Sequence, residues 1–525
     1  MAKTKKGTKK TTKKKVVTKK AATKKVVKKK GANTPVQTQK DTLFESYQIN
    51  CEGIPLDIKI LKRVSSYVKE YDLSIPTIGS HTQIILEKIR HQLVQNVNLG
   101  IADIQNIKQQ SEHIQAEFSD SIKLLVNNYF PSVDDETKKY FVSYVMLRSI
   151  GLGEIDILMS DDRLEEIAIN GAKKAIWVYH RKWGWLKTNV EIESDDKIRY
   201  YASTIGRKVG RQISTLDPLL DVTINVGDRV NATLEPISNE GNTITIRKYS
   251  PDPWTISSFL EFNTLSYEAA ALLWHAIQYE LSILIAGGTA SGKTSMLNIL
   301  ANFFQPDHRV ISIEDTRELK LPDFMHWIPM LTRLPNPEGK GEVTMLHLLQ
   351  NSLRQRPDKI IVGEIRRPRE AEVLFEAIHT GHSVYATFHA NNAKETLTRL
   401  THQPINVPRT MMPALSLIVV QYRNRRTGKR RTFQIAEINE DGTHTVLFQY
   451  DPHKDKLKKV AKSKTFLGTI KEFTGETDAQ VNAEIVKKEK VLKWMVDNKI
   501  TSVDEVSRII AEFYTNPSEL MKRVK

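Results

Sequence analysis

Residues 281–304 have the sequence LSILIAGGTASGKTSMLNILANFF, and the rest of the chain is best understood from them. Eight of these residues, GGTASGKT at 287–294, fit the pattern G-x-x-x-x-G-K-[ST]. The apolar residues before the pattern predict a short buried strand, and those after it predict a helix that stops before Pro306. A strand, a glycine-rich loop and a helix N-terminus in this order form a cradle of backbone N–H groups that binds phosphate.

The loop and the start of the following helix supply the predicted nucleotide-binding residues, which are Gly287, Gly288, Thr289, Ala290, Ser291, Gly292, Lys293, Thr294 and Ser295. Gly287 and Gly292 allow a tight turn and a close backbone approach that a Cβ would block. Lys293 is expected to reach the β- and γ-phosphates, and the Thr294 hydroxyl is expected to bind Mg²⁺. The loop therefore predicts a bound nucleoside triphosphate, with Mg²⁺ as the cofactor.

The composition is typical of an intracellular globular protein. The 525 residues are enough for two to four domains, each with its own core. Cys51 is the only cysteine, which excludes an internal disulfide and a cysteine-clustered zinc site. The sequence has no apolar run of about 18 residues and no signal peptide. We therefore expect a soluble, cytoplasmic protein without zinc.

The positive charge is concentrated at the N-terminus. Residues 1–30 contain 15 lysines and no acid, so only +2 of the net charge of +17 belongs to the rest of the chain. A Lys/Thr/Ala/Val tract buries too little apolar surface to fold, and residues 1–40 are expected to be disordered. Two interpretations stay open: a polybasic arm that binds anionic lipid or nucleic acid, and a solvated tail without a specific partner.

The region that follows the lysine-rich tract is predicted to be helical. Residues 41–150 contain apolar residues at three- and four-residue spacing, notably at 60–71, 81–97 and 101–130. We see no chemistry-bearing motif in this module.

The remainder of the chain predicts an α/β fold. Residues 151–250 contain short strand-like runs separated by turn signals, with one helix among them. In residues 251–431 helices alternate with short apolar strands, which is typical of a mostly parallel sheet covered by helices on both faces. Residues 432–525 predict a hairpin around 439–442 and then helices.

Acidic residues stand at the predicted ends of two strands in the 251–431 region. The segment KIIVGE places Glu364 where P-loop enzymes hold an acid that meets Mg²⁺ or its water. The segment ISIEDTREL places Glu314, Asp315 and Glu318 at another strand tip, where an acid could orient or deprotonate water. A capping or surface cluster is the alternative interpretation of these three acids.

Two histidines bracket a further predicted strand. The segment HTGHSVYATFHANN has His382 at the start of this strand and His389 at its end. A neutral imidazole beside a phosphate site can sense a γ-phosphate through a hydrogen bond. A purely structural histidine is the alternative at each position.

These motifs resemble those of a known family. IEDTREL, LRQRPDKIIVGEIRRPRE (353–370) and HTGHSVYATFHANN are similar to the aspartate box, Walker B motif and histidine box of the type II/type IV secretion and pilus-assembly ATPases. The similarity begins at GLGEIDILMSDDRLEEIAING (151–171). The segment EKVLKWMVDNKITSVDEVSRIIAEFY (489–514) most resembles the archaeal branch, which includes archaellum and archaeal pilus motors.

The resemblance implies a RecA-like P-loop motor domain, preceded by a PAS-like α/β domain and a helical N-terminal module and followed by a helical C-terminal extension. It also implies a homohexamer that hydrolyses ATP at subunit interfaces. Such a motor drives an integral-membrane platform protein that assembles filaments or secretes protein. The expected location is cytoplasmic, peripheral at the inner face of the cell membrane.

The resemblance assigns roles to individual residues. The implied catalytic residues are Glu318, Glu364, Arg229, Arg247 and His389. The other implied motif residues are Glu314 (a less favoured candidate for the water-activating acid than Glu318), Asp315, Arg366 and His382. Thr294, together with Glu364 through water, is the implied Mg²⁺ site. Arg229 and Arg247 match arginines that relatives contribute to the nucleotide from the α/β domain.

Two departures from the family pattern stand out, and two other functions remain open. The single cysteine excludes the four-cysteine zinc module of many bacterial members, and Thr223 occupies a position where related sequences often have arginine. A nucleic-acid motor is the second function, although the body of the chain is nearly neutral and lacks a basic stripe with aromatics. A small-molecule P-loop kinase is the third, but no acceptor pocket or lid is visible.

Overall fold

The computed structural model describes residues 41–76, 78–96, 107–149, 151–224, 227–249, 253–336 and 338–524. The lysine-rich segment 1–40, which is predicted to be disordered, lies outside these residues, as do residues 97–106. The described residues form an α/β structure with two nine-stranded mixed sheets. This agrees with the predicted α/β class.

The first sheet contains β1 (Thr42–Cys51), β2 (Ile54–Lys62), β3 (Glu70–Ser74), β4 (Leu164–Asn170), β5 (Ala175–His180), β6 (Gly184–Glu191), β7 (Leu219–Ile224), β8 (Asp228–Thr233) and β9 (Thr243–Arg247). Their order is β1-β2-β3-β6-β5-β4-β9-β8-β7, and only the β3–β6 pair is parallel. The helices of this part are α1 (Ser80–Asn96), α2 (Ile107–Tyr129), α3 (Asp135–Ser149), α4 (Glu154–Met159) and α5 (Asp195–Lys208). α4 and α5 share the core of the sheet, whereas α1 to α3 form a small core of their own.

The predicted helical character of residues 41–150 is wrong for their first third. Residues 60–71, predicted as a helix, comprise the end of β2, a turn and the start of β3. The reason is a period of two: Leu56, Ile58 and Ile60 are buried while Asp57 and Lys59 between them are exposed. The antiparallel pairing of β2 with β1 and β3 decides the structure over the local helical spacing. α2 lies within the predicted helix 101–130, and α1 begins one residue before the predicted helix 81–97.

The second sheet contains β10 (Ile283–Gly287), β11 (Val310–Glu314), β12 (Trp327–Leu331), β13 (Lys359–Val362), β14 (Ser383–Phe388), β15 (Leu417–Arg423), β16 (Arg430–Ile438), β17 (His444–Asp451) and β18 (Lys456–Lys459). Six strands are parallel in the order β12-β11-β13-β14-β10-β15, and β16 to β18 extend them antiparallel. The accompanying helices are α6 (Ile256–Glu261), α7 (Tyr267–Gln278), α8 (Lys293–Ala301), α9 (Met345–Ser352), α10 (Pro368–His379) and α11 (Ala393–Thr401). Separate apolar cores lie on the two faces. The carboxyl ends of the parallel strands therefore meet at one edge.

The C-terminal part consists of α12 (Thr465–Thr474), α13 (Asp478–Asp497), α14 (Val503–Thr515) and α15 (Pro517–Arg523), and the chain also has 3₁₀ helices at Leu353–Gln355 and Arg409–Ala414. α13 packs on α7, with Lys488 buried against His275. The hairpin predicted around 439–442 is β16–β17, which belongs to the second sheet. None of the helices within the described ranges is both long and apolar enough to cross a bilayer.

Candidate nucleotide site

The glycine-rich loop connects β10 to α8 with the backbone geometry that its glycines predict. A Cβ on Gly287 would lie 2.7 Å from the carbonyl oxygen of Gln421 and would also collide with the Ser291 hydroxyl. Gly292 precedes α8 with φ of 93°, in the left-handed region that glycine tolerates best. Ala290 also has a positive φ, of 56°, which costs an L-residue about 1–2 kcal/mol. This part of the loop is therefore held by its surroundings.

One carbonyl organises the interior of the loop. The oxygen of Gly288 accepts hydrogen bonds from the Ser291 amide (3.3 Å), the Ser291 hydroxyl (2.8 Å) and Nζ of Lys293 (3.3 Å). Burial lowers the pKa of Lys293, although the carboxylate of Glu364 opposes this shift. An anion bound in the loop would stabilise the charged form of Lys293, because it supplies a counter-charge.

Glu364 lies two residues beyond β13, and 15% of its side chain is exposed. Its Oε2 accepts hydrogen bonds from Arg366, whose Nε lies at 2.8 Å and Nη2 at 2.6 Å. Its Oε1 lies 2.6 Å from Nε2 of His389. A cation or its water that binds this carboxylate oxygen must therefore displace the imidazole of His389.

His389 follows β14 and stands between the loop and Glu364. Its Nδ1 lies 3.5 Å from Nζ of Lys293, and its backbone carbonyl accepts a hydrogen bond from Arg399. Burial and the nearby Lys293 lower the pKa of His389, so its imidazole is neutral at pH 7. The structure thus brings His389 together with Lys293 and Glu364, as the sequence predicts.

The aspartate-box segment, residues 314–319, separates its acids into different environments. Glu314 is buried, and its Oε1 accepts the amides of Glu318 (2.9 Å) and Leu319 (3.0 Å) while its Oε2 has no partner among the described residues. Burial raises the pKa of Glu314 to about 7. Asp315 binds Nη1 of Arg366 at 2.7 Å. The side chain of Glu318 is 39% exposed and that of Asp315 is 42% exposed, so both carboxylates face outwards.

Arg229 and Arg247 come from the first sheet and reach the same edge. They are cross-strand neighbours on β8 and β9. Arg229 makes a bidentate pair with Asp221 at 3.1 and 2.9 Å, which raises the pKa of the guanidinium. Nη2 of Arg247 lies 3.9 Å from Oε1 of Glu318. Thr223, at the position where related sequences often have arginine, pairs directly with Arg229.

His382 does not belong to this edge. It precedes β14, whereas the phosphate loop and His389 follow the carboxyl ends of their strands. The six residues of β14 separate the two histidines by about 20 Å. The Nδ1 of His382 contacts the Ala377 carbonyl at 3.2 Å at the end of α10. The predicted phosphate-sensing role is therefore wrong for His382 within its own chain, where it joins a helix end to a strand start.

Arg430 is a site residue that sequence reasoning missed. Its Nε donates to the carbonyl of Ala290 at 3.0 Å, and its Cδ lies 3.8 Å from where a Cβ on Gly292 would stand. The neighbouring Arg431 is fixed by a bidentate pair with Asp455 at 2.7 and 2.9 Å. The signal in the sequence is the basic run RNRRTGKRR at 423–431, which separates two apolar strands. It points to the loop only once β16 is known to lie beside β15.

The residues at this edge fit a Mg²⁺ ion shared with phosphate. Thr294, at the start of α8, offers a partly exposed hydroxyl, and Glu364 offers the carboxylate oxygen that faces His389. Oxygen ligands of this kind suit Mg²⁺, which usually completes its shell with water and phosphate. Across the described part of the chain, no three His, Cys, Asp or Glu side chains are grouped closely enough to hold a metal by themselves.

Fold and site together define a P-loop α/β protein with acids at the adjacent strand ends. The profile of the family described as Type II/IV secretion system protein matches residues 219–462. A Methanocaldococcus jannaschii protein described as uncharacterized is 35% identical over 410 residues, which are 76% of this chain and 73% of that protein. The chain therefore belongs to the type II/IV secretion system protein family.

Two further comparisons have lower identity. The type IV secretion system protein PtlH of Bordetella pertussis is 28% identical over 307 residues, which are 52% of this chain and 89% of that protein. The solved structure of the Yersinia pseudotuberculosis ATPase DotB aligns with 68% of this chain and 91% of its own, at 17% identity and a TM-score of 0.42.

Proposed function

We propose that this protein is a Mg²⁺-dependent ATPase that works as a homohexameric motor, in the archaeal branch of its family. In this proposal residues 251–431 form a RecA-like motor domain and residues 151–250 a PAS-like domain. The motor acts at the cytoplasmic face of the membrane on an integral-membrane platform protein and powers filament assembly or protein secretion. The observation that supports it best is the meeting of Lys293, Glu364, Glu318 and His389 at one sheet edge, in a chain of this family.

The phosphate loop binds the triphosphate of ATP. Lys293 exchanges the carbonyl of Gly288 for phosphate oxygens, and the amides at the start of α8 add their dipoles. Thr294 and Glu364 would hold Mg²⁺, which supplies charge neutralisation on the β- and γ-phosphates. His389 presents a neutral imidazole between Lys293 and Glu364, where it contacts the γ-phosphate or the acid but not both.

Glu318 is the proposed base that takes a proton from the attacking water. Its carboxylate is exposed and free of backbone hydrogen bonds among those described, whereas the similarly exposed Asp315 is held by the side chains of Arg366 and Thr332. Glu314 has the pKa of a suitable base, but one of its oxygens is committed to the amides of Glu318 and Leu319. We therefore assign Glu314 a positioning role: it fixes the backbone from which Glu318 projects.

Arg229 and Arg247 supply positive charge as the γ-phosphate leaves. In the structure Arg229 is paired with Asp221 and Arg247 faces Glu318, so each must exchange a carboxylate for phosphate. Such an exchange requires the first sheet to move relative to the second. A motion of this kind is how ATP binding and hydrolysis would be converted into mechanical work in a ring.

The function is tested by ATP hydrolysis with the full-length protein and Mg²⁺. Lys293→Ala is expected to abolish phosphate release, and Glu364→Gln is expected to retain bound ATP without turning it over. His382→Ala is the matched control, because it changes a histidine of the same motif outside the site, and it should keep wild-type turnover. Wild-type protein that binds no ATP and releases no phosphate, alone or with its platform protein, would refute the proposal.

A further inference from the structure

Arg366 joins two acids that stand at the ends of neighbouring strands in the second sheet. Its Nε and Nη2 lie 2.8 and 2.6 Å from Oε2 of Glu364, and its Nη1 lies 2.7 Å from Oδ2 of Asp315. Glu364 comes after β13 and Asp315 after β11, and these two strands pair in parallel. One guanidinium therefore occupies the gap between two carboxylates that the sheet brings together.

This gap is also a place that would attract a divalent cation. Two carboxylate oxygens facing one gap are oxygen ligands of the kind that Mg²⁺ and Mn²⁺ prefer. In the structure Arg366 contacts both of these oxygens and neutralises them. A guanidinium in this position excludes a free divalent cation, because it covers the ligands and repels the charge.

Arg366 can leave Glu364 without losing its counter-charge. Asp315 already holds its Nη1, and both of these side chains are exposed enough for the pair to reorganise in water. Arg229, from the first sheet, is committed to another aspartate by a bidentate pair. Release of Glu364 therefore requires only that the Nε and Nη2 contacts break.

We propose that Arg366 is a positioning residue that keeps divalent cations out of the nucleotide-free site and releases Glu364 when Mg²⁺ arrives with ATP. The sign of the charge decides the order of binding. Arg366 repels a free divalent cation, whereas it is attracted to Mg²⁺-ATP, whose net charge is negative. Its guanidinium then turns from Glu364 towards phosphate while Asp315 keeps its other end. This inference rests on the proposed Mg²⁺-ATP site.

The test measures binding of Mn²⁺ alone to the full-length, nucleotide-free protein by electron paramagnetic resonance, in which bound Mn²⁺ loses the signal of the free ion. Wild-type protein should bind Mn²⁺ weakly. Arg366→Ala should tighten binding about tenfold or more, because it leaves two carboxylates facing an open gap. Arg366→Lys keeps the positive charge and should restore most of the weak binding.

The gain must depend on the two acids. Adding Glu364→Gln or Asp315→Asn to Arg366→Ala should abolish it, because each change removes one of the two charged ligands. The matched control is Arg369→Ala, which removes an exposed arginine on the neighbouring α10 and should bind Mn²⁺ as weakly as wild type does. An equal gain in Arg369→Ala would reduce the effect to net charge and overturn the inference.

The outcome for Arg366 is separable from that for the proposed function. Wild-type protein that fails to bind Mn²⁺-ATP would refute the nucleotide site itself. If wild-type protein binds Mn²⁺-ATP, the inference is overturned by an Arg366→Ala protein that binds free Mn²⁺ no more tightly than wild type. Weaker binding of Mn²⁺ by this variant would mean that Arg366 orients Glu364 for the metal and does not exclude it.

Discussion

Nη2 of Arg247 lies 3.9 Å from Oε1 of Glu318, so a strand end of the first sheet faces an exposed acid of the aspartate-box segment, which follows β11 of the second sheet. The two side chains are 66% and 39% exposed, and a pair this accessible adds little to stability. The same two parts of the chain meet at two further places. The Tyr249 hydroxyl donates to the Leu319 carbonyl at 3.5 Å. The backbone of Gly227 lies so close to Arg317 that an added Cβ would stand 2.8 Å from the Arg317 carbonyl oxygen. Backbone packing therefore fixes how closely the two parts approach, whereas Arg247 and Glu318 remain free to change partners.

Glu314, which is buried, and Glu318, which is exposed, should respond differently to substitution. Glu318→Gln is expected to lower kcat by about 10²–10⁴ with little change in KM, because it removes the proposed base. Glu314→Gln keeps an oxygen for the amides of Glu318 and Leu319 and should retain much of the activity. Steady-state kinetics of both variants separate the roles. A larger loss in kcat for Glu314→Gln would exchange the two assignments.

Glu314→Ala should instead destabilise the protein. It leaves the buried amide of Leu319 and the partly buried amide of Glu318 without an acceptor, at a cost of about 1–3 kcal/mol for the buried one. Urea unfolding should therefore show a lower midpoint for Glu314→Ala and near wild-type behaviour for Glu318→Ala, whose carboxylate is exposed. Equal midpoints would show that Glu314 does not hold the segment.

Arg247→Ala should reduce turnover without unfolding the protein, because its guanidinium faces Glu318 across the two sheets. Loss of an arginine that neutralises transition-state charge costs up to about 10³–10⁵ in rate in GTPases. If Arg247 acts on the nucleotide of a neighbouring subunit, mixing Arg247→Ala with Lys293→Ala should restore part of the activity. Hydrolysis by the mixture no faster than by its components would place Arg247 in its own subunit's site.

Arg430 should hold the phosphate loop through the carbonyl of Ala290. Arg430→Ala is expected to weaken ATP binding several-fold, whereas Arg426→Ala, an exposed arginine in the same basic run, should leave it unchanged. Ala290→Gly removes about 1 kcal/mol of strain from the positive φ, so the loop needs Arg430 less. Nucleotide titrations of the double mutant should therefore show a smaller effect of Arg430→Ala. Strict additivity of the two changes would rule out this coupling.

Lys488 should destabilise the packing of α13 on α7. Burial lowers the pKa of Lys488 to about 7, while Nζ lies 2.9 Å from Nδ1 of His275 and Glu484 is 3.9 Å away. Burial also lowers the pKa of His275, to about 3, so the imidazole stays neutral. Lys488→Met is expected to stabilise the protein by about 1–4 kcal/mol at pH 7.

The pH dependence of stability tests the same lysine. The folded protein loses the Lys488 proton near pH 7 and the unfolded chain keeps it until about pH 10.4, so the unfolded state binds more protons in this window. Because of this group, the free energy of unfolding of the wild-type protein should rise with pH between these two values. The slope should correspond to at most one proton. Chemical denaturation as a function of pH should show a shallower slope for Lys488→Met. Identical slopes would mean that Lys488 is charged in the folded state.

The sequence alone identified the parts of the site that depend on local pattern. GGTASGKT between an apolar strand and a helix specifies a phosphate loop, because the loop's conformation needs glycine at fixed places. Glu364 and His389 were found because each stands at the end of a short apolar run, and parallel strands bring such ends to one edge. Periodicity failed at residues 60–71, where β1 and β3 supply pairing that no local spacing reveals.

Only the tertiary structure distinguished between similar residues of one motif. Glu314 and Glu318 are both plausible acids in the sequence, and burial of the first against two amides separates them. His382 and His389 bracket one strand, but only the strand direction shows which lies at the phosphate edge. Arg430 reaches Ala290 from 140 positions away, through a β-hairpin pairing. Local sequence sets backbone conformation and strand ends, whereas burial and long-range neighbours decide what each side chain can do.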